Sequence, residues 1–150
     1  MTQRVLAICS SGGHWMQLMR LQRSFEGLDV AYACTRADYE KDVPGHRFYV
    51  VGEVNSKSLQ RMPRTLYTVM RALMKERPDT IITTGALPGL TALVLGKLFF
   101  RSKTIWIDSI ANSEQISVSG RHASRIADVF LTQWPHLSSP DGPDYWGAVI

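Results

Sequence analysis

Cysteine is scarce in this sequence, and clusters of metal-ligating residues are absent. The two cysteines, Cys9 and Cys34, each stand at the end of a predicted strand. A disulfide is one interpretation, but two buried thiols in a reducing compartment are the more common arrangement. Without histidine or aspartate at metal-ligand spacing, the pair predicts no metal site.

Long apolar runs are also lacking. A membrane-spanning helix needs about 20 apolar residues, and the longest candidate, Leu87 to Phe100, is interrupted by proline, glycine and lysine. The start of the chain has no pattern of a signal peptide. We therefore expect a cytoplasmic protein.

Acidic residues are few in two segments of the chain. Six basic residues and one acid lie between Lys57 and Arg77, and three basic residues and no acid lie between Leu87 and Lys103. Basic charge beside apolar helices suits an anionic membrane surface or a phosphate ligand. Nucleic acid would suit the charge as well, but no nucleic-acid-binding motif accompanies it, so we expect none.

Short apolar runs alternate with amphipathic stretches along the chain. The predicted strands are 4–9, 30–34, 48–51, 80–84, 104–107, 129–132 and 145–150. The predicted helices are 14–25, 62–76, one that begins near Pro88, and 119–127. This alternation predicts an α/β fold with a doubly wound, mainly parallel sheet, in a single domain over residues 1–150.

Helical spacing predicts which side chains are buried. The predicted core face of helix 62–76 consists of Leu66, Val69, Met70 and Leu73. Its other face carries Arg64, Arg71 and Lys75. That basic face, or the apolar surface around Leu98 to Phe100, is a candidate for contact with anionic lipid. We expect Leu98 itself to pack in the core, and the two phenylalanines are left open.

Two glycine turns lie at the ends of predicted strands. Ser10 to His14 follows the first strand, and Gly85 to Gly89 follows the fourth. In an open α/β sheet, ligands bind beyond the carboxyl ends of the strands near this position. Glycine lets backbone N–H groups approach a ligand, and a following helix start favours negative charge. The turns therefore predict a phosphate or diphosphate site, to which Ser10, Ser11 and His14 add donors, although plain tight turns would give the same pattern.

His14 begins the helix that follows the first glycine turn. A neutral histidine beside a bound ligand can accept a proton from a sugar hydroxyl as a general base. A capping or ligand-contacting histidine without a chemical role is an equal alternative. The other three histidines lie in polar contexts and are expected at the surface.

The polar loop after the fifth strand points into the same cleft. Its carboxylates are Asp108 and Glu114, and Ser109 stands beside the first of them. A solvated loop is the ordinary explanation, while their location favours contact with a substrate hydroxyl.

A dinucleotide site is a weaker alternative. The spacing of Gly12 and Gly13 does not fit the dinucleotide fingerprint. Arg36 stands where a 2′-phosphate would lie, so an NADP-binding module stays open.

Several ordered motifs resemble a known family. They are Ser10 to His14, Ile81 to Gly89, Thr104 to Ser109, Ser119 to Arg121 and Ala127 to Pro135. Together they resemble PssD-type proteins of bacterial exopolysaccharide synthesis. They are also similar to the membrane-recruiting subunit of the eukaryotic transferase that adds N-acetylglucosamine to a dolichol-linked acceptor.

The resemblance implies a Rossmann-like, N-terminal half of a GT-B glycosyltransferase. It implies an acceptor-binding subunit of an inverting UDP-sugar transferase that acts on a polyprenyl-diphosphate-linked saccharide, in exopolysaccharide or capsule synthesis. The donor domain and its UDP-sugar would lie on a separate partner chain, so this subunit needs no cofactor of its own and is expected to be inactive alone. The end of the chain in strand-like sequence fits such a division.

Residue by residue, the resemblance implies that Ser11, Gly12, Gly13 and His14 contact the acceptor, with His14 as the base. Gly85 and Pro88 would shape the neighbouring loop. The membrane anchor of the eukaryotic relatives is missing here, so attachment to the cytoplasmic face is expected to be peripheral. The loop from Ala111 to Glu114 departs from the family pattern. A non-catalytic scaffold that docks the partner at the membrane is the alternative function.

Overall fold

The computed structural model describes residues 2–149. In this part of the chain seven strands form one sheet: β1 Arg4–Ile8, β2 Asp29–Cys34, β3 Arg47–Val50, β4 Thr80–Thr83, β5 Lys103–Ile107, β6 Val129–Thr132 and β7 Asp144–Tyr145. The α-helices are α1 Gly13–Arg20, α2 Met62–Glu76, α3 Ala86–Leu95 and α4 Val118–Ala123. Short 3₁₀ helices cover Gln22–Phe25, Ala37–Asp42, Leu59–Arg61 and Pro135–Leu137, and a π-helical turn covers Gly96–Phe100.

The strands are all parallel and lie in the order β3-β2-β1-β4-β5-β6-β7. Val5 of β1 pairs with Val30 of β2 on one side and with Thr80 of β4 on the other. The strand order reverses there, which is where open α/β sheets bind ligands beyond the carboxyl ends of their strands. The predicted doubly wound parallel sheet is confirmed.

Apolar side chains cover both faces of the sheet. Trp15 and Leu18 of α1 pack with Phe25 on one face, and Val69 and Leu73 of α2 pack on the other. The short apolar strands are buried on both sides, which is why they read as continuous apolar runs in the sequence. The sheet therefore forms a rigid base from which the loops at its carboxyl edge project.

Three predicted elements are shorter than expected. The helix predicted over 119–127 ends at Ala123. The helix predicted over 14–25 ends at Arg20, and a 3₁₀ turn then brings Phe25 into the core. The strand predicted over 145–150 pairs only at Asp144–Tyr145, since 146–149 make no ladder bonds to β6. Ile150 lies outside the described residues.

Burial differs from prediction at two apolar sites. On α2, Val69 and Leu73 are buried as expected, but Leu66 is exposed and Met70 only partly covered. The core prediction for Leu98 is wrong, because its side chain is 70% exposed. The π-helical turn adds a residue per turn, and among its aromatic residues only Phe100 reaches the core.

Candidate functional site

The first glycine turn leads from β1 into α1. Gly12 has φ 80°, a left-handed conformation that favours glycine. The Ser11 N–H donates to Thr35 Oγ1 at 3.2 Å, and the Gly12 N–H donates to the Tyr39 hydroxyl at 3.2 Å. These bonds fix the turn. Thr35 and Tyr39 had not been predicted at the site, because they follow a different strand.

The start of α1 leaves backbone donors free for a ligand. The first bond inside the helix runs from Met16 N to Gly12 O at 3.1 Å, and Gly12 offers no side-chain cap. The N–H groups of Gly13, His14 and Trp15 therefore have no acceptor within the helix. Such a helix start favours an anion.

His14 joins the two glycine turns. Its Nδ1 lies 2.9 Å from the carbonyl oxygen of Thr84, and the Thr84 hydroxyl donates to the His14 carbonyl oxygen at 2.6 Å. A carbonyl oxygen only accepts, so Nδ1 must carry the hydrogen. In the neutral imidazole Nε2 is then the proton acceptor, as a general base requires.

The second glycine turn lies directly against this imidazole. A side chain on Gly85 would place its Cβ 2.7 Å from His14 Cε1, and φ there is 133°. Ala86 follows with φ 71°, a costly conformation for a residue with a Cβ. Pro88 is buried in the first turn of α3. The starts of α1 and α3 thus meet at the contact of His14 with Gly85.

The loop after β5 is held by Asp108. This carboxylate is only 2% exposed. It accepts hydrogen bonds from Trp106 Nε1 at 3.0 Å, from the Ser117 hydroxyl at 2.6 Å and from Ser117 N at 3.0 Å. Gly120 packs against it, since a Cβ there would lie 2.6 Å from Asp108 Oδ1. This geometry favours a positioning role for Asp108, and contact with an acceptor stays a prediction.

A buried glutamine pair connects this loop to the helix that carries His14. Gln17 Nε2 of α1 donates to Ser109 Oγ at 3.1 Å, and Gln17 Oε1 accepts from Gln133 Nε2. Gln133 Nε2 also donates to the Asp108 carbonyl oxygen at 3.0 Å, and its Oε1 accepts from Val149 N at 2.7 Å. Neither glutamine had been predicted as part of the site. The available signals were the position of Gln17 on a helix with apolar neighbours and that of Gln133 within the family motif Ala127 to Pro135.

The structure therefore brings most predicted site residues together. Ser10 to His14 and Gly85 form one cluster, and Pro88 lies behind it. Asp108 and Ser109 join the cluster only through Gln17 and Gln133. Glu114 is exposed, as are His46, His122 and His136, which had been predicted at the surface.

The predicted burial of the cysteines is confirmed. Cys9 and Cys34 are free and fully buried at the ends of β1 and β2. Burial, with a further contribution from the neighbouring Cys34, raises the pKa of the Cys9 thiol well above its ordinary value. Burial of Cys9 therefore favours its neutral thiol form.

Three observations bear on the other classes of site. Among residues 2–149, no three His, Cys, Asp or Glu side chains are grouped so that they would hold a metal ion. Within the same residues, no helix is long and apolar enough to cross a membrane. Arg36, which an NADP site would use, forms a salt bridge with Asp38 at 2.9 Å.

The comparisons with known sequences agree on one family. The family described as oligosaccharide biosynthesis protein Alg14 like matches residues 43–149. The UDP-N-acetylglucosamine transferase subunit ALG14 of Homo sapiens is 25% identical, over 89% of this chain and 76% of its own length. The subunit of the same name from Candida albicans is 28% identical, over 95% of this chain and 76% of its own length.

Solved structures share the fold. MurG of Acinetobacter baumannii superposes with a TM-score of 0.76 at 13% identity, over 95% of this chain and 45% of its own. A UDP-GlcNAc 2-epimerase from Methanocaldococcus jannaschii gives a TM-score of 0.65 at 12% identity, over 87% of this chain and 39% of its own. The chain spans less than half the length of either protein. The predicted Rossmann-like fold, one half of the GT-B architecture, is confirmed.

Proposed function

From the premise that this chain belongs to the Alg14-like family of oligosaccharide biosynthesis proteins, we propose that it is the acceptor-side, membrane-docking subunit of a two-chain glycosyltransferase. The observation that carries the proposal is the family match over residues 43–149. The curated relatives are named as subunits of a UDP-N-acetylglucosamine transferase. The donor site would then lie on a separate chain, which binds the UDP-sugar.

The acceptor would bind where α1 and α3 begin. The two helix starts meet at the contact of His14 with Gly85, and the dipole of each helix favours negative charge at its start. The diphosphate of a polyprenyl-linked saccharide fits these donors. The polyprenyl acceptor, and a role in exopolysaccharide or capsule synthesis, are the finer parts of this proposal.

In the reaction, the acceptor hydroxyl attacks the anomeric carbon of the donor sugar from the face opposite UDP. The bond from that carbon to the UDP oxygen breaks, the new glycosidic bond forms with inversion, and the hydroxyl proton goes to a base. The relatives' designation as subunits favours a docking role for this chain, with the base on the partner. That was the alternative function derived from the sequence.

A catalytic His14 is the second candidate, and one observation favours it. The 2.9 Å contact between Nδ1 and the Thr84 carbonyl oxygen leaves Nε2 as the proton acceptor at the meeting point of the two turns. A base held by a backbone carbonyl is oriented as general-base catalysis requires.

Helix α2 would hold the subunit at the cytoplasmic face of the membrane. Tyr67 and Met74 are 68% and 62% exposed. With Leu66, Met70 and Leu95 they line an open apolar hollow of about 690 Å³, and Arg71 and Lys75 lie at its edge. An apolar face bordered by basic side chains suits an anionic lipid surface.

A transfer assay tests the function. This chain, its co-expressed donor subunit and the pair are each given a polyprenyl-diphosphate saccharide and a panel of UDP-sugars. We expect transfer only from the pair, and transfer by this chain alone would contradict the division of the enzyme. Absence of transfer from the pair with every donor would count against the proposed function.

The variant His14→Ala separates the two roles, with His46→Ala as the surface control. A docking role predicts an intact pair with near-normal kcat for both variants. A catalytic base predicts an intact pair in which His14→Ala alone lowers kcat by about 10²–10⁴-fold.

A further inference from the structure

An apolar groove lies beside the second glycine turn. One wall is the loop that contains Val54 and Leu59, and the other is the start of α4 with Val118. Ala86 and Leu87, the first residues of α3, also line the groove. The groove encloses about 400 Å³, a volume within the range of about 300–1,000 Å³ for small-molecule sites.

The walls carry apolar side chains that lie outside the hydrophobic core. Leu59 is 57% exposed and Val118 is 72% exposed. They come from separate segments of the chain and face one hollow, whereas scattered exposed apolar residues need no explanation. Val54, which anchors the first wall, is buried.

The groove is continuous with the proposed acceptor site. Ala86 lines the groove and directly follows Gly85, which lies against the His14 imidazole. A ligand with its anionic head at the start of α3 has the groove immediately beside it. The two features together fit one molecule with a charged head and an apolar tail.

The charge of the groove supports the same kind of ligand. Its polar lining residues are Asn55, Ser56, Ser119 and His122, with no carboxylate among them. Lys57 and Arg121 are exposed and adjacent in sequence to these lining residues. A neutral to basic surface of this kind attracts an anionic amphiphile and would not repel its diphosphate.

We infer that this groove binds the first isoprenoid units of the acceptor lipid. The inference rests on the proposed function, because only a lipid-linked acceptor places an isoprenoid chain beside the glycine turns. The groove would then select for the lipid, while the helix starts bind its diphosphate.

Calorimetric titration of the full chain, alone and paired with the donor subunit, with geranylgeranyl diphosphate tests the inference. The variants are Leu59→Asp and Val118→Asp, with Leu98→Asp as an exposed control on the π-helical turn. An aspartate in the groove should weaken binding by at least about tenfold, because a charge must lose water to contact the isoprenoid. Leu98→Asp should bind like the unsubstituted chain, and inorganic diphosphate should bind all variants alike.

Equal binding of geranylgeranyl diphosphate to all variants, or none to the unsubstituted chain, would overturn the inference. Equal weakening of inorganic diphosphate in the groove variants would also overturn it, since the substitutions would then act on the head site. The transfer assay is a separate test. Binding of geranylgeranyl diphosphate in the groove without transfer by the pair would support the groove as a binding site and contradict the proposed function.

Discussion

His14 and Gly85 lie far apart in the sequence, but their atoms meet at the candidate site. The sequence alone predicts donors at each glycine turn. The Thr84 carbonyl oxygen, 2.9 Å from Nδ1, determines which ring nitrogen can accept a proton. Which nitrogen of His14 can accept a proton therefore depends on a contact between the loops after β1 and β4, which no local pattern encodes.

Substitution Gly85→Ala tests that contact. The new Cβ would lie 2.7 Å from His14 Cε1, so the imidazole must move away from Thr84, and φ 133° is strained for alanine. We expect a loss of roughly 1–3 kcal/mol in the free energy of unfolding, measured by urea denaturation. We also expect a changed ¹⁵N shift of His14 Nδ1 by NMR.

The matched control is Gly147→Ala. That residue has φ 112° and no atom within 4 Å of a built Cβ, so it reports backbone strain without the contact. Equal destabilisation by both substitutions, with an unchanged His14 spectrum, would show that the imidazole does not depend on Gly85.

At the scale of elements, an ionic cluster attaches β3 to the end of α2. The Arg47 guanidinium contacts both oxygens of the buried Glu76 carboxylate, with Nε 2.8 Å from Oε1 and Nη2 2.9 Å from Oε2. It also contacts Asp29 of β2 at 2.8 Å. Tyr49 donates its hydroxyl to the same Glu76 at 2.5 Å. The edge of the sheet is thereby fixed to the helix proposed to face the membrane.

This cluster predicts an alkaline loss of stability. Burial, followed by the hydrogen bond to Glu76, raises the pKa of Tyr49 from 10.0 to about 12. The folded state therefore holds this proton more tightly than the unfolded chain. The stabilisation is complete below pH 10 and is lost as the pH rises to about 12.

Substitution Tyr49→Phe removes this titration. The difference in the free energy of unfolding between the unsubstituted chain and the variant should shrink between pH 10 and pH 12. We expect a decrease of up to about 2 kcal/mol, which is less than the full pKa shift would give because Tyr49 is partly exposed. Urea denaturation at successive pH values measures it, with the exposed Tyr67→Phe as control. A constant difference between the chain and Tyr49→Phe would contradict the prediction.

At the scale of the whole molecule, the exposed surfaces determine how the protein would lie on a membrane. The α2 hollow and the surface around Leu98 are both apolar and both bordered by basic residues. Five of the seven residues that line the hollow carry apolar side chains, and most follow one helix, so we expect the hollow to make the lipid contact.

The double variant Tyr67→Glu, Met74→Glu tests this orientation. It should reduce co-sedimentation with anionic phospholipid vesicles by at least about tenfold, because two carboxylates oppose both the apolar and the electrostatic attraction. The free energy of unfolding should change little, since both side chains are exposed. Leu98→Glu is the control, and loss of vesicle binding in that variant alone would place the membrane contact at the π-helical turn.

The sequence by itself determined the architecture and the position of the two glycine turns. Short apolar runs that alternate with amphipathic helices have few solutions other than a parallel doubly wound sheet. Glycine at a strand end marks a turn regardless of its distant neighbours, so both glycine turns were predicted correctly. The family motifs also lie in these local segments.

Only the tertiary structure decided which groups are free to act. The carboxylate of Asp108 accepts hydrogen bonds from Trp106 and Ser117, which the sequence did not indicate, and its predicted contact with an acceptor stays a prediction. Leu66 has the spacing of a core residue and is exposed. Burial and hydrogen-bond partners depend on which distant segments the sheet register brings together, whereas periodicity and turn chemistry depend only on near neighbours.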